Sequence, residues 1–209
     1  MVNTEEQARE WLRKKCHIYE LKGDITWDPE QNSLNVPGAV LVAAGVTHLG
    51  VQFGEVDVFV ACREMQSLVG SPRMVREFTA SESEIRNLEG GPQSAITYYV
   101  QSCRNLKSLR GGPSECKEFS CNYSHFESWD WDPNGVRELN LTAWRDTPIV
   151  RALCAKSVHL TSSFDFGPRQ MKVLRGIMQD ERLIGKGKLG AIPCAAALIK
   201  AGFGGNARW

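Results

Sequence analysis

Gly91-Pro92-Gln-Ser-Ala-Ile96-Thr-Tyr-Tyr99-Val100-Gln-Ser-Cys103-Arg-Asn-Leu106-Lys-Ser-Leu109 is the stretch on which the fold turns. Read with a period near 3.6, Ile96, Tyr99, Val100, Cys103 and Leu106 share one face of a helix. Pro92 then suits the first helical position, where a missing N–H costs nothing. The same reading extends along the chain. Ser71-Pro72, Thr147-Pro148, Gly167-Pro168 and Ile192-Pro193 each precede a predicted helix, and the last sixty residues divide into helices near 148–158, 168–179 and 193–201.

Outward from that stretch the N-terminal part is mixed. Thr4-Glu-Glu-Gln7 has the form of a capping box and predicts a helix to about Lys15. His17-Ile-Tyr-Glu-Leu-Lys22, Val40-Leu-Val42 and Val56-Asp-Val-Phe-Val60 are apolar and β-branched, the pattern of strands. Residues 27–37 are rich in turn formers, and Val136–Leu141 reads as one more strand. No internal repeat and no low-complexity tract is read. The expected fold is α+β, with a small sheet in the N-terminal half and a mainly helical C-terminal half. A single domain over 1–209 is expected, with a subdivision near 145 into an α/β part (1–145) and a basic helical part (146–209).

Hydrophobic residues make up 42% of the 209, so the chain can bury a core without disulfide staples. Seven cysteines, scattered and odd in number, predict free thiols in a reducing intracellular compartment, cytoplasmic or nuclear. The most apolar run, from Gly38 to Val60, is interrupted by His48, Glu55 and Asp57, which argues against a membrane span. No G-x-S-x-G or H-E-x-x-H motif is present, and Gly185-Lys-Gly-Lys188 lacks the P-loop spacing, so the reading leans away from an enzyme.

The net charge of +1 hides an asymmetry. Residues 151–209 carry ten Lys and Arg against three acids (+7), whereas 1–150 carry fifteen against twenty-one (−6). On a helix from Pro168, Arg169, Lys172 and Arg175 share an arc opposite Met171, Leu174, Ile177 and Met178. Arg182, Lys186 and Lys188 continue the charge. Such groups bind phosphate backbones with little sequence selectivity, so RNA or another polyanion is the expected partner. Homo-oligomerisation is compatible with all of this.

Cys103, Cys116, Cys121 and His125 are spaced C-x12-C-x4-C-x3-H, with ligand types that suit tetrahedral zinc. The segment resembles Cys-Cys-Cys-His zinc fingers. That resemblance implies a zinc-held loop on single-stranded RNA, with Phe119 and Tyr123 stacking on bases. A second, local likeness covers 17–45. His17-Ile-Tyr-Glu-Leu-Lys-Gly-Asp-Ile-Thr26 and Val40-Leu-Val-Ala-Ala-Gly45 are similar to the opening strands of macro domains. It implies an α/β sandwich for ADP-ribose, with Asp24 at the adenine. The leading expectation is a non-enzymatic RNA-binding protein. A macro-like module and a structural or protein-interaction protein are the alternatives.

Overall fold

The computed structural model describes residues 2, 4–161, 163 and 165–209. Helix α1 (Glu5–Lys15) begins as its sequence predicts. Thr4 accepts a hydrogen bond from the Gln7 N–H at 3.4 Å, acids occupy the first turn, bases occupy the last, and Ala8 and Leu12 are buried. Strand β1 (Cys16–Glu20) then pairs antiparallel with β3 (Ser33–Ala43), as does the short β2 (Thr26–Asp28). Pro37 and Gly38 (φ +62°) sit where the register of β3 shifts, since proline has no N–H to give a ladder.

From β4 onward every strand runs parallel to the one before. Strands β4 (Gln52–Val60), β5 (Met74–Thr79), β6 (Ser94–Tyr99), β7 (Glu115–Cys121), β8 (Val136–Thr142) and β9 (Ser157–Thr161) complete a nine-stranded sheet in the order β1-β3-β4-β5-β6-β7-β8-β9, with β2 beside β3. No helix returns the chain between β3 and β8; turns do. The protein is a solenoid with one strand per coil of about twenty residues, each coil resting on its neighbours.

The residues explain this coil directly. Val75-x-x-Phe78-x-Ala80-x-x-Ser83-x-Ile85-x-x-Leu88 is followed by Ala95-x-x-Tyr98-x-Val100-x-x-Cys103-x-x-Leu106-x-x-Leu109 and Cys116-x-x-Phe119-x-Cys121-x-x-Ser124-x-Phe126-x-x-Trp129. All of these named residues are buried. The first three in each set point inward from a strand, and the rest fill the return. Stacking of equivalent positions makes an aromatic column: Phe59 lies 6.0 Å from Phe78, Phe78 4.6 Å from Tyr98, and Tyr98 5.3 Å from Phe119, centroid to centroid, and Trp131, from the segment before β8, extends it at 4.7 Å from Phe119. Where the chain leaves each strand, a small polar side chain satisfies the backbone. Ser83 Oγ donates to Ala80 O at 2.5 Å, Cys103 Sγ to the same carbonyl at 3.1 Å, and Ser124 Oγ to Val100 O at 2.7 Å.

This overturns the expected division into a small N-terminal sheet and a mainly helical C-terminal half. The sheet runs to Thr161, and the helix over 92–109 is instead β6 with its turns. Ile96, assigned to the core face of that helix, is exposed, while Ala95, Tyr98 and Val100 face inward. Pro72 and Pro92 open turns before strands. Their fixed φ suits such a turn as well as it suits a first helical residue. Gly90 and Gly111, at φ +81° and +85°, take a left-handed bend in which a Cβ would meet the preceding coil's backbone at 2.6 and 2.5 Å. The repeat not read in the sequence is thus the principal feature of the fold.

Beyond β8 the expectations fare better. The predicted helix at 148–158 is a 3-10 turn (Val150–Cys154) leading into β9. Helix α2 (Pro168–Met178) follows the predicted bounds closely and buries Met171, Leu174 and Met178. Helix α3 (Lys188–Lys200) starts earlier than predicted and holds Pro193 inside it. These helices close the far end of the core. Arg175 Nε donates to Leu160 O at 3.0 Å, meeting a carbonyl on edge strand β9. Among the described residues, no helix is long and apolar enough to cross a membrane.

Candidate interaction surface

One face of the sheet carries the core; the other meets solvent. Register decides what that open face displays, because side chains at equivalent positions line up across the strands about 4.8 Å apart. One row runs Asp57, Arg76, Ile96, Lys117, Arg137 and Lys156. The next runs Val58, Glu77, Thr97, Glu118, Glu138 and Ser157. A third runs Val60, Thr79, Tyr99, Ser120, Asn140 and His159. The first two rows both belong to the open side, since neither residue between the inward Cys116 and Phe119, or their equivalents, is buried. Over β7–β9 the face therefore carries a basic stripe, beside the acids Glu118 and Glu138 on β7 and β8, with a polar, aromatic row beyond.

The two ends of this face differ. Near β3 and β4 it is aliphatic, with Val40, Val42, Val58 and Val60 half-buried and aligned in pairs. At β5 the basic row is already spoken for: Arg76 binds Asp57 at 3.1 Å and contacts Glu77, and its guanidinium is held charged first by its hydrogen bond to Asp57. Lys117, Arg137 and Lys156, by contrast, are exposed and make no ion pair with any described residue. In the acidic row Glu118 is braced by its neighbours. Glu118 accepts from Tyr99 Oη at 3.2 Å and from Asn140 Nδ2 at 3.1 Å. Tyr99 is pushed above its usual value by burial and then by that carboxylate. His159 Nε2 lies 3.1 Å from Ser157 Oγ.

The residues singled out in the sequence are placed as follows. Cys103, Cys116 and Cys121 are buried, and His125 is exposed at 6.0 Å from the Trp144 ring. Cys103 serves the turn, Cys116 Sγ donates to Glu118 O at 2.9 Å, and Cys121 Sγ lies 3.7 Å from Asn140 O. Burial pushes the Cys116 thiol to about 12 and Cys121 up as well. Among the described residues no three His, Cys, Asp or Glu are grouped to hold a metal ion. Phe119 belongs to the aromatic column and is fully buried, a correction to its assignment as a stacking residue; Tyr123 is exposed, with φ +61°.

Arg169, Lys172 and Arg175 lie together on the outer side of α2. Arg182 is engaged with Asp180 at 2.5 Å, and that contact holds the aspartate down at about 2. Lys186 and Lys188 are exposed at the start of α3. Asp24 is exposed between β1 and β2. One face of the sheet there is open to solvent, unlike the sandwich implied by the macro resemblance. Sequence reading missed Lys117, Arg137, Lys156, Glu118 and Glu138 as a group, because only a recognised repeat shows that they align. No family model, curated protein or solved structure matches the chain.

Proposed function

We propose that the chain is a non-enzymatic scaffold that binds a protein partner on the open face of its sheet. The observation that carries this is the pairing of stripes: Lys117, Arg137 and Lys156, without ion-pair partners among the described residues, stand in register beside Glu118 and Glu138. A phosphate backbone attracted by the first stripe is repelled by the second, one residue away. A polypeptide surface with both signs satisfies the two together, and such complementarity sets register and specificity. The apolar spacing of the coil matches the way leucine-rich repeats stack strand upon strand, and solenoids of this kind present extended surfaces for binding. Tyr99 and the valine pairs supply apolar contact near the charged rows.

The test is a capture comparison on nuclease-treated extract. Reversal of Lys117, Arg137 and Lys156 to Glu removes the specific partner, whereas reversal of Lys107, which pairs with Glu127 at 2.6 Å on the return side, retains it. Equal capture by both variants refutes the assignment. A second reading keeps RNA as a ligand of the helical end, favoured by Arg169, Lys172, Lys186 and Lys188, none of which has an ion-pair partner among the described residues. It requires single-stranded RNA to bind with steep salt dependence and to be lost when Arg169 and Lys172 become Glu.

A further inference from the structure

Helix α3 closes the solenoid, and a closing element ordinarily turns a polar face to water. This one does not. Its inner side buries Gly190, Cys194 and Leu198, and its outer side shows Leu189 at 87%, Ile192 at 82% and Ile199 at 63% exposure. At about 100° per residue, Ile199, Ile192, Ala196 and Leu189 fall within one arc opposite the buried side. That arc is about 80° wide and runs about 15 Å along the axis, the dimensions of a narrow seam that a second helix covers. Ala196 lies within it, a small residue between larger ones where a partner's side chain can seat. Lys188 and Lys200 border the arc on either side.

The borders select the occupant. A second copy of α3 offers no carboxylate, since residues 188–200 include no Asp or Glu, so in either orientation the lysines of both copies border the seam unanswered and like charge gathers along it. A bilayer surface fits less well, because binding there scales with the apolar area buried and this stripe offers three large side chains and one alanine. Pro193 also has no N–H to give the Leu189 carbonyl, which lies on the exposed stripe. A protein side chain can meet that carbonyl; lipid tails cannot.

We infer that the outer face of α3 is the seat of an amphipathic helix from a partner protein, apolar along one stripe and acidic on both borders. Leu189, Ile192, Ala196 and Ile199 receive the stripe, and Lys188 and Lys200 pair with the flanking carboxylates. This seat is separate from the open sheet face and stands whether or not that face binds the same partner.

The probes are two fluorescent fifteen-residue helical peptides with the same leucine stripe, one bordered by Glu and the other by Lys, titrated against the full chain by anisotropy. The Glu-bordered peptide is expected to bind at least tenfold more tightly. Ile192→Glu is expected to abolish its binding with circular dichroism unchanged, since that side chain stands in solvent. The double variant Lys188→Glu, Lys200→Glu is expected to reverse the preference. Equal binding of the two peptides, or binding of neither, overturns the inference. So does an Ile192-dependent dimer in light scattering, or Ile192-dependent binding to phosphatidylserine vesicles without peptide binding.

Discussion

Replacing Tyr98 by Phe is expected to stabilise the protein. Tyr98 occupies the place in β6 that Phe59, Phe78 and Phe119 hold in β4, β5 and β7, and its ring stacks between the last two. Its hydroxyl is fully buried and has no hydrogen-bond partner among the described residues, and burial pushes its ionisation well above the ordinary tyrosine value. An unsatisfied buried hydroxyl costs roughly 1–3 kcal/mol. Removing it leaves an oxygen-sized void of about 10 Å³, which at about 24 cal/mol per Å³ costs only ~0.2 kcal/mol. The net gain is therefore about 0.8–2.8 kcal/mol, and each kcal/mol raises Tm by about 2–4 °C in a chain of this size. Urea unfolding followed by circular dichroism measures it. The same atom explains Gly91, where a Cβ would lie 2.4 Å from Tyr98 Oη. Gly91→Ala should cost less in the Tyr98→Phe background than in the parent, although Leu88 O at 3.1 Å keeps some of the penalty. A Tyr98→Phe protein less stable than the parent by about 1 kcal/mol or more would show that the hydroxyl is engaged, and the reasoning fails.

Three further outcomes are expected. Phe119→Ala removes a fully buried ring with two aromatic neighbours and should cost about 3–5 kcal/mol by the same unfolding measurement, against under about 0.5 kcal/mol for exposed Lys117→Ala. Cys103→Ser should stay within about 1 kcal/mol of the parent, because Ser83 and Ser124 already fill the equivalent place; a large loss would instead give the thiol a separate role, such as metal ligation. Stability should fall at alkaline pH: burial raises Cys16 and Cys116 from ordinary values near 9 to about 12. The unfolded chain releases those protons first. Their contribution is thus intact below pH 9 and drains between 9 and 12, by about 1.4 kcal/mol per pH unit for each thiol, which melting curves at stepped pH would register.

The capping of α1, strand β4, strand β8 and the bounds of α2 were legible because each rests on local chemistry: a hydroxyl at an N-cap, β-branched runs, a proline at a first turn. The coil was not. Its inward triplets are Val75, Phe78, Ala80, then Ala95, Tyr98, Val100, then Cys116, Phe119, Cys121, so volume is conserved down the column while identity changes. The spacing between equivalent residues also drifts: Tyr98 to Phe119 is one residue longer than Phe119 to Leu139. Tyr98-Tyr99-Val100 supplies apolar residues at both strand and helix periods, and Gly-Gly-Pro reads as a helix start unless its recurrence after Leu88 and Leu109 is noticed.

The candidate surface was hidden for the same reason, and its electrostatics argue that the coil and the site are one problem. Charge on this protein is organised between coils. Arg63 contacts Glu82, Arg76 reaches Asp57, Lys107 reaches Glu127 at 2.6 Å, and Arg110 reaches Glu89 at 2.8 Å, each joining one coil to the next. These exposed pairs add little stability individually. They do neutralise charge at four places where coils face each other, while exposed Arg73, Arg86 and Arg104 have no ion-pair partner among the described residues. Lys117, Arg137 and Lys156 depart from that pattern: three successive coils place a cation at the same register, and none is answered among the described residues. A solenoid that pairs several of its charges from coil to coil, and leaves three cations at one register free beside Glu118 and Glu138, has its unmet electrostatic complement outside itself.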